Sequence, residues 1–259
     1  MTRPLETFID ELESKRRRLV VVNGAEAEAQ VDEIVGYFGR FDLETTTVTA
    51  PGLPEAFLVL TDGDACLGAV GVAALHAYLF DSLSGDSIDD LTADTRQRPV
   101  VEAFLTRLDG NVYSLSGERR RPLICVSQLL ESRAWHRGEG ELHAGVQSLA
   151  TFERAPATWR RYRKIADANV ATTVYGRPEW EPDDWGSITA YADETGDRLG
   201  AFWFVVYRGP EPRDDGALLA RETDAGRYTG FWTFDSETVE ELVETLIDDY
   251  QPSLTRLDK

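Results

Sequence analysis

The stretch that decides the fold reads GRYTGFWTFD at residues 226–235 and continues directly as SETVEELVETL at residues 236–246. Aromatic residues suit a half-buried strand, and Gly230 marks a bulge or a close approach of another backbone or of a ligand. Asp235 or Ser236 can cap the helix that follows. The apolar residues of this helix recur at the spacing of one face: Val239, Leu242, Val243, Leu246, Ile247 and Tyr250. The stretch therefore predicts an aromatic strand that leads into an amphipathic helix.

The rest of the chain alternates between helical and strand patterns. Hydrophobic periodicity predicts helices over residues 2–15, 72–80, 99–108, 121–136 and 158–169. It predicts strands over residues 19–22, 45–50, 56–61, 65–70, 142–147 and 170–175. Four further strands, over residues 188–192, 201–207, 217–222 and 228–234, are expected to form a meander. The strand at 201–207 is apolar on both faces and should lie centrally in its sheet.

These patterns predict the α/β fold class. We expect a mixed sheet that is flanked by helices, with a parallel-leaning N-terminal half and an antiparallel meander in the C-terminal half. The chain of 259 residues is long enough for one large domain. Two lobes, at about residues 1–80 and 99–250, are also compatible with the pattern. They would be joined by a mobile segment over residues 81–98, which is rich in Ser, Asp and Thr.

Two further sequence blocks precede the aromatic strand. One reads ESRAW at residues 131–135, and the other reads VYGRPEWEP at residues 174–182. Between them lie Gly138, Gly140, Leu142 and the segment GVQ at residues 145–147. Together with residues 226–246, these blocks resemble in order those of the DICT sensory domain, a family named for its occurrence with diguanylate cyclases and two-component systems. The resemblance runs from about residue 5 to residue 250, in pattern more than in motif over the N-terminal third. It implies sensing rather than chemistry, and it implies no particular ligand, so the cofactor stays unknown.

The charge balance is strongly acidic. Asp and Glu number 46 against 27 for Lys and Arg, which gives a net charge of -19, and lysine occurs only at Lys15, Lys164 and Lys259. Concentrated salt screens the self-repulsion of such a surface. The composition favours a halophilic, archaeal protein, although an ordinary acidic cytosolic protein is the alternative. It argues against a nucleic-acid partner, because affinity for phosphate backbones depends on clustered positive charge.

Targeting signals and cysteine usage point to the cytoplasm. No apolar run approaches the roughly 18 residues that a membrane helix needs, and no apolar signal core follows the first residues. We expect a soluble cytoplasmic protein without a membrane partner. Cys66 and Cys125 lie in apolar stretches, which predicts buried free thiols rather than a disulfide.

Catalytic and metal motifs are weak, so we expect no catalytic residue and no metal ligand. The turn at Asn23 and Gly24 lacks the three spaced glycines of a dinucleotide site. The three histidines, His76, His136 and His143, do not show zinc-site spacing with the cysteines. A Gly-x-Ser-x-Gly elbow is missing, while a pairing of Cys125 with His136 or His143 stays conceivable. Without a cyclase or phosphoacceptor motif, the chain is typical of a free-standing sensor.

Two sets of residues are candidates for binding. The first is a pocket for a small molecule, with walls from the aromatic cluster around Trp135, Trp180 and Trp232 and a few oriented polar groups. Its predicted residues are Arg133, Trp135, Gln147, Tyr175, Trp180, Gly230 and Trp232, with Arg177 nearby. Plain packing is the alternative, because Trp and Tyr dominate any core in which they are buried. The second set is a basic face that could dock an acidic signalling partner or pair internally: Arg160, Arg161, Arg163 and Lys164.

The function that these patterns predict is a non-enzymatic signal-input domain. It would bind a small ligand or a partner protein and relay a conformational change. Two alternatives remain open at this point. One is a protein-interaction module without a ligand, and the other is an enzyme acting on a small metabolite, which would need a titratable residue with a shifted pKa in the pocket.

Overall fold

The computed structural model of the chain describes residues 4–11, 17–38, 43–53, 55–81, 98–108, 113–116, 121–224 and 227–257. The segment predicted to be mobile falls almost entirely outside these ranges. The structure contains two mixed β-sheets with helices packed on them, which confirms the predicted α/β class.

The first sheet holds four strands in the order β2-β1-β3-β4. Its strands are β1 (Arg17–Val22), β2 (Leu43–Val48), β3 (Phe57–Asp62) and β4 (Ala65–Gly71). Strand β1 runs parallel to β2 and antiparallel to β3, and β3 and β4 form a hairpin. The turn of this hairpin contains Gly63, whose φ of 56° lies in the left-handed region that glycine adopts without strain.

The second sheet is larger and has the order β12-β8-β7-β6-β9-β10-β11-β5. Its strands are β5 (Tyr113–Ser116), β6 (Glu141–Ser148), β7 (Ala171–Arg177), β8 (Ile188–Ala192), β9 (Phe202–Arg208), β10 (Gly216–Asp224), β11 (Arg227–Thr233) and β12 (Thr255–Arg256). Strands β6, β7 and β8 are mutually parallel. Strand β9 is antiparallel to β6 and begins an antiparallel run through β10 and β11.

The expected meander therefore begins one strand later than predicted. Strand β8 does not form a hairpin with β9 but pairs in parallel with β7, so the chain crosses β7 and β6 to reach β9. Strand β9 lies between β6 and β10 and is almost wholly buried, which confirms its predicted central position.

Eight α-helices are found in the described residues. They are α1 (Leu5–Glu11), α2 (Glu28–Phe38), α3 (Val72–His76), α4 (Arg98–Arg107), α5 (Arg121–Arg137), α6 (Ala150–Arg154), α7 (Pro156–Asp167) and α8 (Ser236–Glu244). Helices α3 and α8 continue as π-helical turns over Ala77–Asp81 and Thr245–Tyr250. Strand β5 and helix α6 are too short to show a periodic signal and were not predicted.

The two faces of the large sheet belong to different helices. Helices α5 and α7 cover one face, where their buried residues join one continuous core that extends to the small sheet. Helices α1 and α8 cover the other face. Successive side chains of β9 point to opposite faces of the sheet and therefore into different cores. Val205 lies in the first core, and Phe204 and Val206 lie in the second.

The stretch that decided the fold forms β11 and α8 as expected. Asp235 caps α8 by accepting a hydrogen bond of 2.9 Å from the Thr238 backbone N–H to its Oδ2. A Cβ atom added at Gly230 would collide with the carbonyl oxygen of Leu219 on β10. Glycine is therefore required there by the close approach of the neighbouring backbone, which was one of the predicted reasons.

The thiols differ from the prediction in one case. Cys125 is buried and forms no disulfide with Cys66, as expected, whereas Cys66 is exposed on β4, because the apolar stretch around it belongs to an edge strand of the small sheet. None of the helices in the described ranges is both long and apolar enough to cross a membrane.

Candidate functional site

A cavity of about 390 Å³ lies between α5, α7 and the carboxyl end of β6. Residues of β9 and β11 complete its wall, among them Trp203 and Tyr228, whose rings meet edge to face with centroids 6.1 Å apart. The volume is in the range of small-molecule sites. Strand β6 is parallel to β7 on one side and antiparallel to β9 on the other. Ligands of open α/β sheets commonly bind outside the carboxyl ends of the strands.

A buried ionic cluster forms the wall between the two helices. Arg161 of α7 donates a hydrogen bond of 2.9 Å from Nη1 to Oε2 of Glu131 on α5. The Tyr162 hydroxyl donates a hydrogen bond of 2.8 Å to the other oxygen, Oε1, of the same carboxylate. Burial, and next the negative charge of Glu131, raises the pKa of Tyr162 well above its ordinary value. Tyr162 is therefore a neutral donor, and both oxygens of Glu131 are engaged.

Two further polar atoms of this wall make no hydrogen bond within the described residues. They are Oγ of Ser127 and Nε of Arg161. The two residues are only 5% and 7% exposed, so solvent does not compensate them. Buried polar atoms in native proteins are almost always paired, and an exception calls for an explanation such as a bound molecule or an ordered water. Both residues line the cavity.

Gln147 enters the cavity wall through an unusual backbone conformation. Its φ of 59° lies in the left-handed region, and the register between β6 and β7 shifts between Gly145 and Ser148. The irregularity makes the consecutive residues Val146 and Gln147 both line the cavity, although neighbouring residues of a regular strand face opposite sides. A left-handed residue other than glycine costs of order 1 kcal/mol, and such strain clusters at functional sites.

The Gln147 amide is held at both ends. Its Nε2 donates to Oε2 of Glu222 on β10 at 2.8 Å, and its Oε1 accepts from the Tyr228 hydroxyl on β11 at 3.3 Å. One side chain thus links the end of β6 to the β10–β11 hairpin.

The structure does not bring the other predicted pocket residues together. Trp180 packs with Trp159, Trp185 and Phe152, at centroid distances of 5.4, 6.3 and 6.3 Å. Trp135 meets the ring of His136 edge to face at 4.8 Å. In the described part of the chain, no ring contact joins Trp135, Trp180 and Trp232.

Three more of the predicted pocket residues, Arg133, Tyr175 and Gly230, contact other parts of the protein. Arg133 donates to Thr106 Oγ1 at 2.9 Å and lies 4.4 Å from the ring centre of Phe234. Tyr175 lies in the core on the opposite face of the sheet from Trp232. Gly230 faces the backbone of β10 rather than open space. Of the seven predicted pocket residues, Gln147 lines this cavity.

The predicted basic face also divides. Arg160 and Lys164 are exposed, but Arg161 turns inward to Glu131, as described above. Arg163 donates a hydrogen bond of 2.7 Å to the Asp184 carbonyl oxygen. Arg161 therefore pairs internally, which was one of the two expected alternatives, because it lies on the side of α7 that carries Tyr162 and Ile165.

A second polar chain, not predicted from sequence, lies on the other face of the sheet. His143 is 2% exposed, and its Nδ1 lies 2.8 Å from the Tyr175 hydroxyl oxygen while its Nε2 lies 3.1 Å from Glu141 Oε2. Arg208 donates from Nε to Glu141 Oε1 at 2.6 Å. The hydrogen bond from His143 and the positive charges of His143 and Arg208 lower the pKa of Glu141, against the opposing effect of burial. The only sequence signal for this polar chain of side chains is the i, i+2 spacing of Glu141 and His143, which puts both on one face of a strand.

The conceivable pairing of Cys125 with a histidine is not formed. His143 bonds to Tyr175, on the face away from the core that holds Cys125. His136 Nδ1 lies 2.7 Å from the carbonyl oxygen of Ser132 in its own helix. Within the described ranges, no group of three or more His, Cys, Asp or Glu side chains could hold a metal ion.

The turn at Asn23 is a structural connection. The side-chain oxygen of Asn23 accepts from the Ala50 backbone N–H at 2.8 Å, and its amide donates to the Leu53 carbonyl at 3.1 Å. A second cavity of about 460 Å³ lies near this turn and is lined by Glu26 and Glu55. Two carboxylates are unsuited to a phosphate group.

Comparisons with known proteins leave the family open. No family model matches the chain, and no curated protein matches it. Among solved structures, the chain is similar to polyphosphate kinase from Porphyromonas gingivalis, with 10% identity and a TM-score of 0.34. The match covers 88% of this chain and 44% of the kinase, so the chain spans less than half the length of that protein. A similarity this low indicates neither fold nor function.

Proposed function

We propose that this chain is a non-enzymatic sensory domain whose small ligand binds in the cavity between α5, α7 and the end of β6. The observation that carries the proposal is the pair of buried polar atoms, Ser127 Oγ and Arg161 Nε, that lack a partner in the described residues beside a cavity of ligand size. The strained backbone of Gln147 at the same place supports it. The resemblance of the three sequence blocks to the DICT sensory domain points in the same direction.

The signal would leave the cavity through Gln147. Its amide contacts Glu222 and Tyr228, and the β10–β11 hairpin continues directly into α8. A ligand that competes for the Gln147 amide changes the contacts between β6 and this hairpin. Differential contacts of this kind are what a ligand needs in order to shift a conformational equilibrium.

The proposal also names the environment in which the protein works and the kind of partner that it binds. The acid excess supports a halophilic, cytoplasmic protein. The exposed side chains of Arg160 and Lys164, in an otherwise acidic chain, suit an acidic signalling partner.

Occupancy of the cavity can be tested by filling it with a side chain. Ala157 is half-buried and lines the cavity, so the Ala157→Phe variant places a ring where the ligand would lie. The matched control is Ala29→Phe on the exposed side of α2. Native mass spectrometry of the protein purified from its own cells should show a bound small molecule that is lost in Ala157→Phe and kept in Ala29→Phe.

Thermal melting gives a second readout. A ligand that binds only the folded state adds about 2.7 kcal/mol at a hundredfold excess over its Kd. For a chain of this size, that stabilisation raises Tm by roughly 5 to 10 °C. A metabolite extract should raise the Tm of the unmodified protein and of Ala29→Phe but not of Ala157→Phe. Equal shifts in all three proteins, or none in any, would show that this cavity is not a ligand site.

A further inference from the structure

Two polar atoms of the cavity wall, Arg161 Nε and Ser127 Oγ, have no hydrogen-bond partner among the described residues, and Arg161 Nε can only donate. Both oxygens of Glu131 are engaged by Arg161 and Tyr162, and both ends of the Gln147 amide are engaged by Glu222 and Tyr228. A ligand that satisfies the unpartnered nitrogen of Arg161 must therefore offer it an acceptor atom.

The N–H donors of Arg161 lie in one plane. A guanidinium carries five N–H groups in a fixed fork. Among the described residues, Arg161 uses Nη1 for Glu131, and its Nε has no partner. The remaining edge, formed by Nε and Nη2, is the edge that binds two adjacent acceptors lying in one plane. Ser127 adds a hydroxyl without a partner on the facing helix.

Adjacent acceptor atoms occur in anions, such as a carboxylate or a phosphate, and also in neutral molecules. The charges of the cavity wall decide between these two kinds of ligand. Glu131 already balances the guanidinium of Arg161, and Glu222 adds a second carboxylate 2.8 Å from the Gln147 amide. A carboxylate or phosphate ligand would bring a third anion to a wall with one cation. Burying a charge without a counter-charge is costly, whereas neutral acceptors such as a carbonyl oxygen and a ring nitrogen carry no such cost.

The shape of the wall favours a flat molecule. Trp203 is half-buried, and its ring meets that of Tyr228 edge to face. Aromatic walls bind planar rings by stacking and by edge contacts. The 390 Å³ volume accommodates a fused ring with a modest substituent.

From these contacts we propose that the ligand is a neutral, planar heteroaromatic molecule with two adjacent acceptors on one edge, which Arg161 binds through Nε and Nη2. The inference rests on the proposed function, since it describes the occupant of the same cavity. Guanine presents such an edge, with its O6 and N7 acceptors, and arginine binds it in a bidentate manner. Adenine has a donor amino group in place of O6 and is the matched negative probe.

The test is calorimetric titration of the intact chain with guanosine, adenosine and 1-naphthoate, a flat anion. Guanosine should bind most tightly. Arg161→Lys keeps the charge opposite Glu131 but loses the planar fork, so it should weaken guanosine binding by about 5- to 150-fold, the range for a bidentate arginine contact. Arg160→Lys, on the exposed side of the same helix, should leave the affinity unchanged. Ser127→Ala, a small change in a buried helix position, gives a second variant with an expected loss of affinity.

Three results would overturn the inference: adenosine binding as tightly as guanosine, naphthoate binding more tightly than guanosine, or none of the three binding at all. If none of the three probes binds but Ala157→Phe still removes a molecule that copurifies with the chain, the proposed ligand class is wrong and the proposed sensory function stands. If Ala157→Phe changes nothing either, both proposals fail together.

Discussion

Arg161 and Glu131 form an ion pair that is buried on both sides, with 8% and 4% of their side chains exposed and 2.9 Å between Nη1 and Oε2. The pair joins α7 to α5 across one wall of the cavity. Its charges are separated from water, so its two members depend on each other far more than two surface charges do.

Removing one member of this pair should be strongly destabilising. Glu131→Gln keeps the shape of the side chain but leaves the Arg161 charge without a counter-charge, and we expect the free energy of unfolding to fall by about 3 to 5 kcal/mol. The control is Glu44→Gln, because Glu44 pairs with Arg18 at 3.1 Å but is 70% exposed. That change should cost less than about 1 kcal/mol. Urea denaturation measures both values, and similar losses in the two variants would contradict the buried pair.

Two glycine-to-alanine substitutions should have opposite effects. At Gly230 an added methyl group collides with the Leu219 carbonyl, and the strain should lower the free energy of unfolding by about 1 to 3 kcal/mol. At Gly36, within α2, no atom lies within 4 Å of the added methyl group. Alanine should stabilise the chain there by about 0.5 to 1 kcal/mol, because it restricts the unfolded backbone. Thermal or urea denaturation of both variants checks the signs, and a neutral Gly230→Ala would show that β10 and β11 are further apart.

The parts of the fold that were predicted correctly depend on local patterns. Val239, Leu242 and Val243 are all buried on α8, as their spacing predicted. The pairing of β8 was missed, because strand partners are chosen over long distances along the chain and four successive strand patterns suggested a meander. Strand β5, with four residues, offers too few positions for any period.

The candidate site was predicted only in part for similar reasons. Arg161 stands in a run of basic residues, and its inward direction depends on Glu131, which lies 30 positions earlier. The adjacent Tyr162 lies three positions from Ile165, which is the spacing of one helical face, and this was the available signal that Arg161 lies beside a buried face. The positive φ of Gln147 has no signature in residue type, since glutamine is not enriched in that region. The pocket prediction was based on tryptophan residues, but Trp180 belongs to a packed cluster with Trp159 and Trp185.

Salt should stabilise the fold. The net charge of -19 produces self-repulsion that is screened over about 3 Å at 1 M salt but over about 30 Å at 0.01 M. We expect Tm to fall steadily as salt is removed, in sodium chloride and potassium chloride alike. An unchanged or higher Tm in dilute buffer would contradict the halophilic interpretation.

Glu141 should contribute stability that is lost in acid. Its pKa lies below the ordinary value of 4.5 because His143 hydrogen-bonds to it and because the charges of His143 and Arg208 favour the carboxylate. A carboxyl group with a lowered folded-state pKa stabilises the fold fully above its unfolded pKa, and this stabilisation disappears as the pH falls through the lower, folded value. The difference in free energy of unfolding between the unmodified protein and Glu141→Gln should therefore shrink as the pH falls below the ordinary pKa of 4.5.

Glu240→Gln, at an exposed position of α8, is the control for this measurement. Its own difference from the unmodified protein should stay small throughout the same range, because an exposed carboxylate gains little from folding. Urea denaturation at half-unit steps from pH 3.5 to pH 6.5 separates the two cases. If the Glu141→Gln difference does not depend on pH, the carboxylate of Glu141 is not held by His143 and Arg208 in the folded protein, and the polar chain to Tyr175 does not begin there.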